Sequence, residues 1–202
     1  MKKIFIPILL IGILNACVIH QPDKKANILT YQNKDAGWSI EYPNGWKVLN
    51  DDDILKMEGN AKKALESTLN DSIKMRHKNL IWFQKDGFNS FSSTLQLYDS
   101  VTDGPYAATQ QALFETMLAT YKNQGLQFQY KLSKELIDGL EFKTYFVKFL
   151  SSDKSKVILY QIIFDRLIDG NKAITLSINF NNDTDKKTLI SIVNSSKFTL
   201  RN

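Results

Sequence analysis

The chain has 202 residues, a formal net charge of +5, 43% hydrophobic and 11% aromatic residues, and one cysteine. This is room for a single domain with a substantial core, and a lone cysteine excludes a disulfide within the chain. With only nine glycines and four prolines, the body of the chain lacks the composition of a disordered or low-complexity protein.

Met1-Lys2-Lys3 places positive charge before an apolar run, Ile4 to Leu14, that is broken only by Pro7 and Gly12. The run falls short of the roughly 20 apolar residues that a spanning helix needs. A short apolar stretch ending in a small residue is the shape of an export signal. Leu14-Asn15-Ala16-Cys17 resembles the end of a bacterial lipoprotein signal peptide. The resemblance implies cleavage before Cys17 and acyl chains, palmitate among them, on its sulfur. Several acyl chains make membrane anchoring durable. Val18 in place of an aspartate implies, by the same resemblance, the outer membrane facing the periplasm. The expected organisation is a signal peptide over 1–16, a lipidated tether over 17–29 and a domain over 30–202. An exported protein rarely meets nucleic acid, so the basic balance is read as suiting an anionic membrane surface.

From Gly37 to Pro43 apolar and polar residues alternate, which predicts a half-buried strand. Asn44-Gly45 signals a turn, and Trp46 and Val48 continue the alternation, so the stretch reads as a hairpin. Asp51-Asp52-Asp53 supply cap and first-turn acids for a helix whose apolar stripe is Ile54, Met57, Ala61, Leu65 and Leu69, ending at Asn70-Asp71. Leu80–Phe83 predicts a strand covered on both faces, and Leu95 and Leu97 mark another, joined by a loop from Lys85 to Phe91. Gly104-Pro105 opens a long helix that Gly125 stops. Phe128, Tyr130 and Leu132 alternate as a strand. Leu140–Leu150, Val157–Phe164 and Ala173–Phe180 read as an antiparallel meander with a turn at Asp169-Gly170. Asp183 or Thr184 caps a closing helix, and Lys197–Leu200 reads as a final edge strand. The expected class is α+β, an antiparallel sheet with helices on both faces.

Gly37-Trp38-Ser39-Ile40-Glu41-Tyr42-Pro43-Asn44-Gly45-Trp46 resembles the opening of PsbP-like domains, in which a glycine and an aromatic lead into a strand followed by proline and tryptophan. Ile192-Val193-Asn194-Ser195-Ser196-Lys197-Phe198 is similar to the ending, a helix running into a short strand. Residues 30–200 are thereby identified with the PsbP-like superfamily, which includes Mog and the envelope lipoprotein DcrB. The resemblance implies an α/β/α sandwich and binding or assembly roles, without a cofactor, in company with an envelope protein partner.

Candidate site residues are few. Lys74, Arg76, His77 and Lys78 form a basic run that reads either as a solvated segment or as a contact for anionic surfaces. Phe88 and Phe91 stand in a polar loop, either plugging the core or anchoring a partner. Trp38, Trp46 and Trp82 lie on predicted strands and read as core. His77 and His20 are the only histidines, so no histidine-rich metal site is expected, and the acidic clusters at 51–53 and 181–185 read as helix caps. No nucleotide-binding loop or serine-nucleophile elbow occurs. Three functions stay open: a non-catalytic binding or assembly module, a periplasmic carrier of a small ligand or lipid, and a hydrolase using carboxylates such as Glu115 and Glu141.

Overall fold

A computed structural model gives the fold and describes residues 27–199. The signal peptide, Cys17 and most of the expected tether lie outside the described residues, as does Leu200.

Among the described residues ten strands and four helices follow one another. β1 (Ile28–Asn33) and β2 (Trp38–Pro43) form the first antiparallel pair, with Tyr31 opposite Ile40. The turn between them ends at Gly37, whose φ is 56°. A Cβ there would sit 2.7 Å from the Thr199 carbonyl oxygen, and the Thr199 amide donates to the Gly37 carbonyl at 2.6 Å. Glycine is thus required twice, for its backbone angle and for the close approach of the C-terminal segment. β10 (Lys197–Phe198) pairs with the other edge of β2, completing a three-stranded sheet ordered β1-β2-β10.

The expected hairpin over residues 37–48 does not form. Both edges of β2 are taken, so β3 (Lys47–Val48) crosses to a second sheet and pairs with β4 (Lys78–Gln84). Asn44-Gly45 is a turn all the same, with Gly45 at φ 103°. β1 begins at Ile28, within the stretch read as tether.

The second sheet has seven antiparallel strands ordered β3-β4-β5-β9-β8-β7-β6, with β5 at Ser90–Leu97, β6 at Gln127–Ile137, β7 at Leu140–Leu150, β8 at Val157–Ile168 and β9 at Lys172–Phe180. Asp-Gly turns close two of its hairpins: Asp138-Gly139 at φ 49° and 76°, and Asp169-Gly170 at φ 49° and 71°. Positive φ at both central residues matches the right-handed twist of the flanking strands. The meander of β7, β8 and β9 is as expected.

α1 (Asp51–Leu69) is capped by Asn50, whose side chain accepts from the Asp53 amide at 2.8 Å. The three aspartates therefore fill the first turn, where negative charge meets the positive helix end, instead of capping it. Asn70 ends the helix at φ 50°. After the single turn of α2 (Ser100–Asp103), α3 runs from Tyr106 to Asn123 with Pro105 at its cap position. α4 (Asp183–Asn194) is capped by Asn182, accepting from Asp185 at 2.9 Å.

Helices do cover both faces of the seven-stranded sheet, as expected for this class. On one face Phe114, Met117 and Tyr121 of α3 meet Tyr145, Val147, Phe149, Leu159 and Ile163, and Leu65 of α1 packs against Leu113 of α3. On the other face Leu189, Ile192 and Val193 of α4 share the largest core with Trp38 and Ile40 of the small sheet and with Phe83, Ile174, Leu176 and Ile178. The outer layer on this side is thus a helix together with a three-stranded sheet, which the reading of the sequence did not anticipate.

Candidate functional site

The two phenylalanines do not form an exposed anchor. Phe91 is 0% exposed and stacks on Phe83 with ring centres 4.8 Å apart. It belongs to β5, and the connecting loop ends before it, because Asp86 accepts from the Phe88 and Asn89 amides and closes the turn quickly. Phe88 is half-buried against the core beneath α3. Of the two readings open for this pair, Phe91 plugs the core, and its partner-anchor role is corrected.

The basic run is divided among carboxylates. Arg76 is paired with Asp103. Lys78 lies 3.1 Å from Asp35. The His77 side chain is only 2% exposed, with Nε2 3.0 Å from Glu58 Oε1. Burial alone would raise the Glu58 carboxyl, but hydrogen bonds from His77 and Asn79 outweigh it and hold the group below its usual range. His77 is therefore an internal partner of Glu58 and not a surface contact, a second correction. Lys74 stays exposed. Arg76, His77 and Lys78 line, with Lys172, Leu95 and Leu97, a cleft of about 500 Å³. Because the carboxylates stand beside the cations, the cleft is a mixed-charge surface and not a cationic one. Glu115 and Glu141 each have their own neighbour: Glu115 accepts from Gln111 at 2.8 Å, and Glu141 pairs with Lys134 at 2.8 Å.

The most perturbed carboxylate is one the sequence reading missed. Asp165 lies in β8 on the α3 face and is 3% exposed. The Tyr106 hydroxyl donates to it at 2.6 Å and the Thr175 hydroxyl at 3.0 Å. Burial pushes its carboxyl up to about 6, although both hydroxyls and Lys143 pull the other way. A void of about 10 Å³ beside it is lined by Gln110, Tyr145 and Thr175, the size of one water. The cluster is sealed beneath α3, so its chemistry is that of a pin between helix and sheet. The available signal was a charge interrupting an apolar strand, since a buried polar residue is more informative than a buried apolar one.

The other face offers the concave site. β7 and β8, of 11 and 12 residues, are about 35–40 Å long, while α4, of 12 residues, spans about 18 Å and packs over β9 and β2. Beyond the helix the sheet is covered only by its own neighbouring side chains, with Phe146 partly buried and Ile162 and Phe164 buried. There a groove of about 430 Å³ has Phe146, Ile162, Phe164, Ile190 and Val193 among its lining, with Lys131, Ser133 and Glu135 of β6 along the sheet edge. None of the candidate residues singled out in the sequence lines it, because its apolar lining reads in sequence as ordinary core. Among the described residues no cluster of histidine, cysteine and acidic side chains is placed to hold a metal, and no helix is long and apolar enough to cross a membrane.

No family model matches the sequence, and no curated protein matches it significantly. A solved structure does match: the solution structure of cyanobacterial PsbP (CyanoP) from Synechocystis sp. PCC 6803, with a TM-score of 0.56 and 17% identity over 92% of this chain and 99% of that one. The fold is PsbP-like. At this identity the likeness concerns the path of the chain, and function does not follow from fold.

Proposed function

We propose that the protein is an exported, lipid-anchored, non-catalytic binding or assembly module of the bacterial cell envelope, held to the outer membrane through Cys17 and facing the periplasm. The groove beside α4 is its binding surface, and that groove is the observation that carries the binding part of the reading. It combines an apolar floor with a polar edge, the composition by which concave sites gain affinity from burial and orientation from a few polar groups. It is open along the β6 side, which suits a segment of an envelope protein partner. The leader that resembles a lipoprotein signal carries the placement.

A second reading is a carrier of a small apolar ligand or lipid. The volume of the groove favours it, falling within the range of small-molecule sites.

Two measurements test the proposal. Intact mass of the native chain is expected to show cleavage before Cys17 and acyl groups on its sulfur; a free thiol in a cytosolic fraction refutes the anchoring. A photo-crosslinking residue in place of Asn194, at the groove edge, is expected to capture a defined peptide in intact cells, whereas the same residue in place of Lys63 on α1 is not. Capture of an acyl chain instead selects the carrier. Equal capture from both positions, or from neither, refutes the groove as the binding surface.

A further inference from the structure

β6 ends the seven-stranded sheet, and among the described residues nothing pairs with its outer edge. It is 11 residues long and carries three exposed apolar side chains: Tyr130 at 54%, Leu132 at 41% and Leu136 at 72%. Long apolar edges are templates for strand addition, and proteins usually blunt them with short strands, bulges or lysines. β6 pairs with β7 without a register shift from Gln127 to Ile137. Its lysines are also arranged in a way that does not simply repel. Lys134 is neutralised within its own sheet by Glu141. Lys131 and Glu135 are both exposed on the groove side of β6, and neither is in an ion pair among the described residues.

We propose that β6 pairs antiparallel with β6 of a second copy of this chain, about a two-fold axis through Ser133, joining two sheets into one. This inference stands apart from the proposed anchoring and from the occupant of the groove. The register follows from charge. An antiparallel two-fold pair places residue i opposite the residue equally far beyond the axis. With Ser133 on the axis, Lys131 meets Glu135 of the partner subunit, and Glu135 meets the partner's Lys131. On the opposite face Tyr130 meets the partner's Leu136 and Leu136 meets the partner's Tyr130, so the two most exposed apolar residues of the edge cover each other. Directly opposed charge pairs and aromatic–aliphatic pairs are the units that stabilise neighbouring strands. Shifting the axis to Leu132 loses this match, since Glu135 would then meet Gln129. The self-complementary spacing of one cation and one anion about a small central residue is what points to a second copy over an unrelated strand. The two grooves would run together across the axis.

The test uses the purified full chain in mild detergent. Ser133→Cys places two thiols directly opposite each other, with Cβ atoms about 5 Å apart, within disulfide reach. Mild oxidation is expected to give a 133–133 link, read by mass spectrometry of the linked peptides. Leu132→Cys, which faces position 134 of the second copy, is expected to give none. Sedimentation then separates charge from strand pairing. Lys131→Glu and Glu135→Lys are each expected to weaken dimerisation at least about tenfold by opposing like charges. The double variant K131E/E135K is expected to recover the parent affinity. A chain that stays monomeric throughout the accessible concentration range overturns the proposal. So do a 132–132 link in place of 133–133, or single charge reversals without effect.

Discussion

Asp165 makes the stability of this protein depend on pH in a direction opposite to that of an ordinary paired carboxylate. Its native pKa is about 6, against about 3.9 for an unfolded aspartate. A raised native value means the folded state holds the proton more tightly. The group therefore contributes fully at pH below the unfolded value, and the contribution is lost as pH rises through about 6. The shift of about 2 pKa units corresponds to about 3 kcal/mol, of which about 2 kcal/mol falls between pH 4 and pH 7. Glu58, Asp138 and Asp153 are held below their usual values, so they favour folding in the opposite sense and mask the trend in the wild type. Asp165→Asn isolates it. The amide keeps an oxygen for Tyr106 or Thr175 but carries no charge at any pH. Urea denaturation of wild type and variant at pH 4 and pH 7 is the assay. The variant is expected to gain about 2 kcal/mol relative to wild type between these two values, whatever its absolute stability. A difference that stays constant with pH refutes the reasoning, because it means that Asp165 titrates alike in the folded and unfolded chain.

Further substitutions test how individual residues hold the fold. Phe91→Ala empties a fully buried site between Phe83 and Trp38 and is expected to cost about 3–5 kcal/mol in urea denaturation; near-neutrality refutes its place in the core. Gly37→Ala meets both a positive φ and the Thr199 carbonyl, and is expected to lower stability by about 1–3 kcal/mol and to raise hydrogen exchange at the Thr199 amide. Asn50→Ala removes the cap of α1 at an expected cost of about 1 kcal/mol, recovered largely by Asn50→Asp, while Asp51→Ala is expected to cost less.

What the sequence revealed follows from how local each signal is. Periodicity found the meander, since Ile174, Leu176, Ile178 and Phe180 are each at most 2% exposed and alternate with smaller polar residues along one strand. It missed β1, because Ile28 and Leu29 are exposed at the edge of the small sheet and read as tether. It also missed the break between β2 and β3, since the Asn44-Gly45 turn is local while the choice of sheet depends on β1 and β10 from distant parts of the chain. β5 was blurred by its serines. The expected loop from Lys85 to Phe91 takes in Ser90 and Phe91, which open β5, and within the strand the Ser93 hydroxyl donates to the Ile81 carbonyl at 3.0 Å across an irregularity in the pairing of β4 with β5. Helix caps slipped by one residue because asparagine, aspartate and threonine compete for the same role, and only backbone geometry chooses among them. The His77–Glu58 pair joins residues 19 apart, and Tyr106 and Asp165 are 59 apart. No pattern within a single element reports such contacts.

The two faces of the large sheet are closed by helices of unequal reach, and this inequality organises the proposed functions. α3 has 18 residues and is backed by α1. It seals its face so well that Asp165, Tyr145 and Thr175 of the sheet are buried beneath it, with the Tyr106 hydroxyl of the helix donating to Asp165. α4 is a third shorter and shares its face with a small sheet that ends with β10, so the corner over β6, β7 and β8 stays uncovered. Phe146, Ile162 and Phe164 line a groove there, beside the edge of β6, which nothing pairs among the described residues. Burying more of that corner would stabilise the body, and a longer α4 would suffice. The groove floor and the edge of β6 are the places where the proposed bound segment and the proposed second β6 would add to this face. Extending the N-terminal arm or the tether would leave both intact, whereas filling the groove from its helix side, as with the partly buried Ile190→Trp, is expected to abolish capture at position 194 in the crosslinking assay.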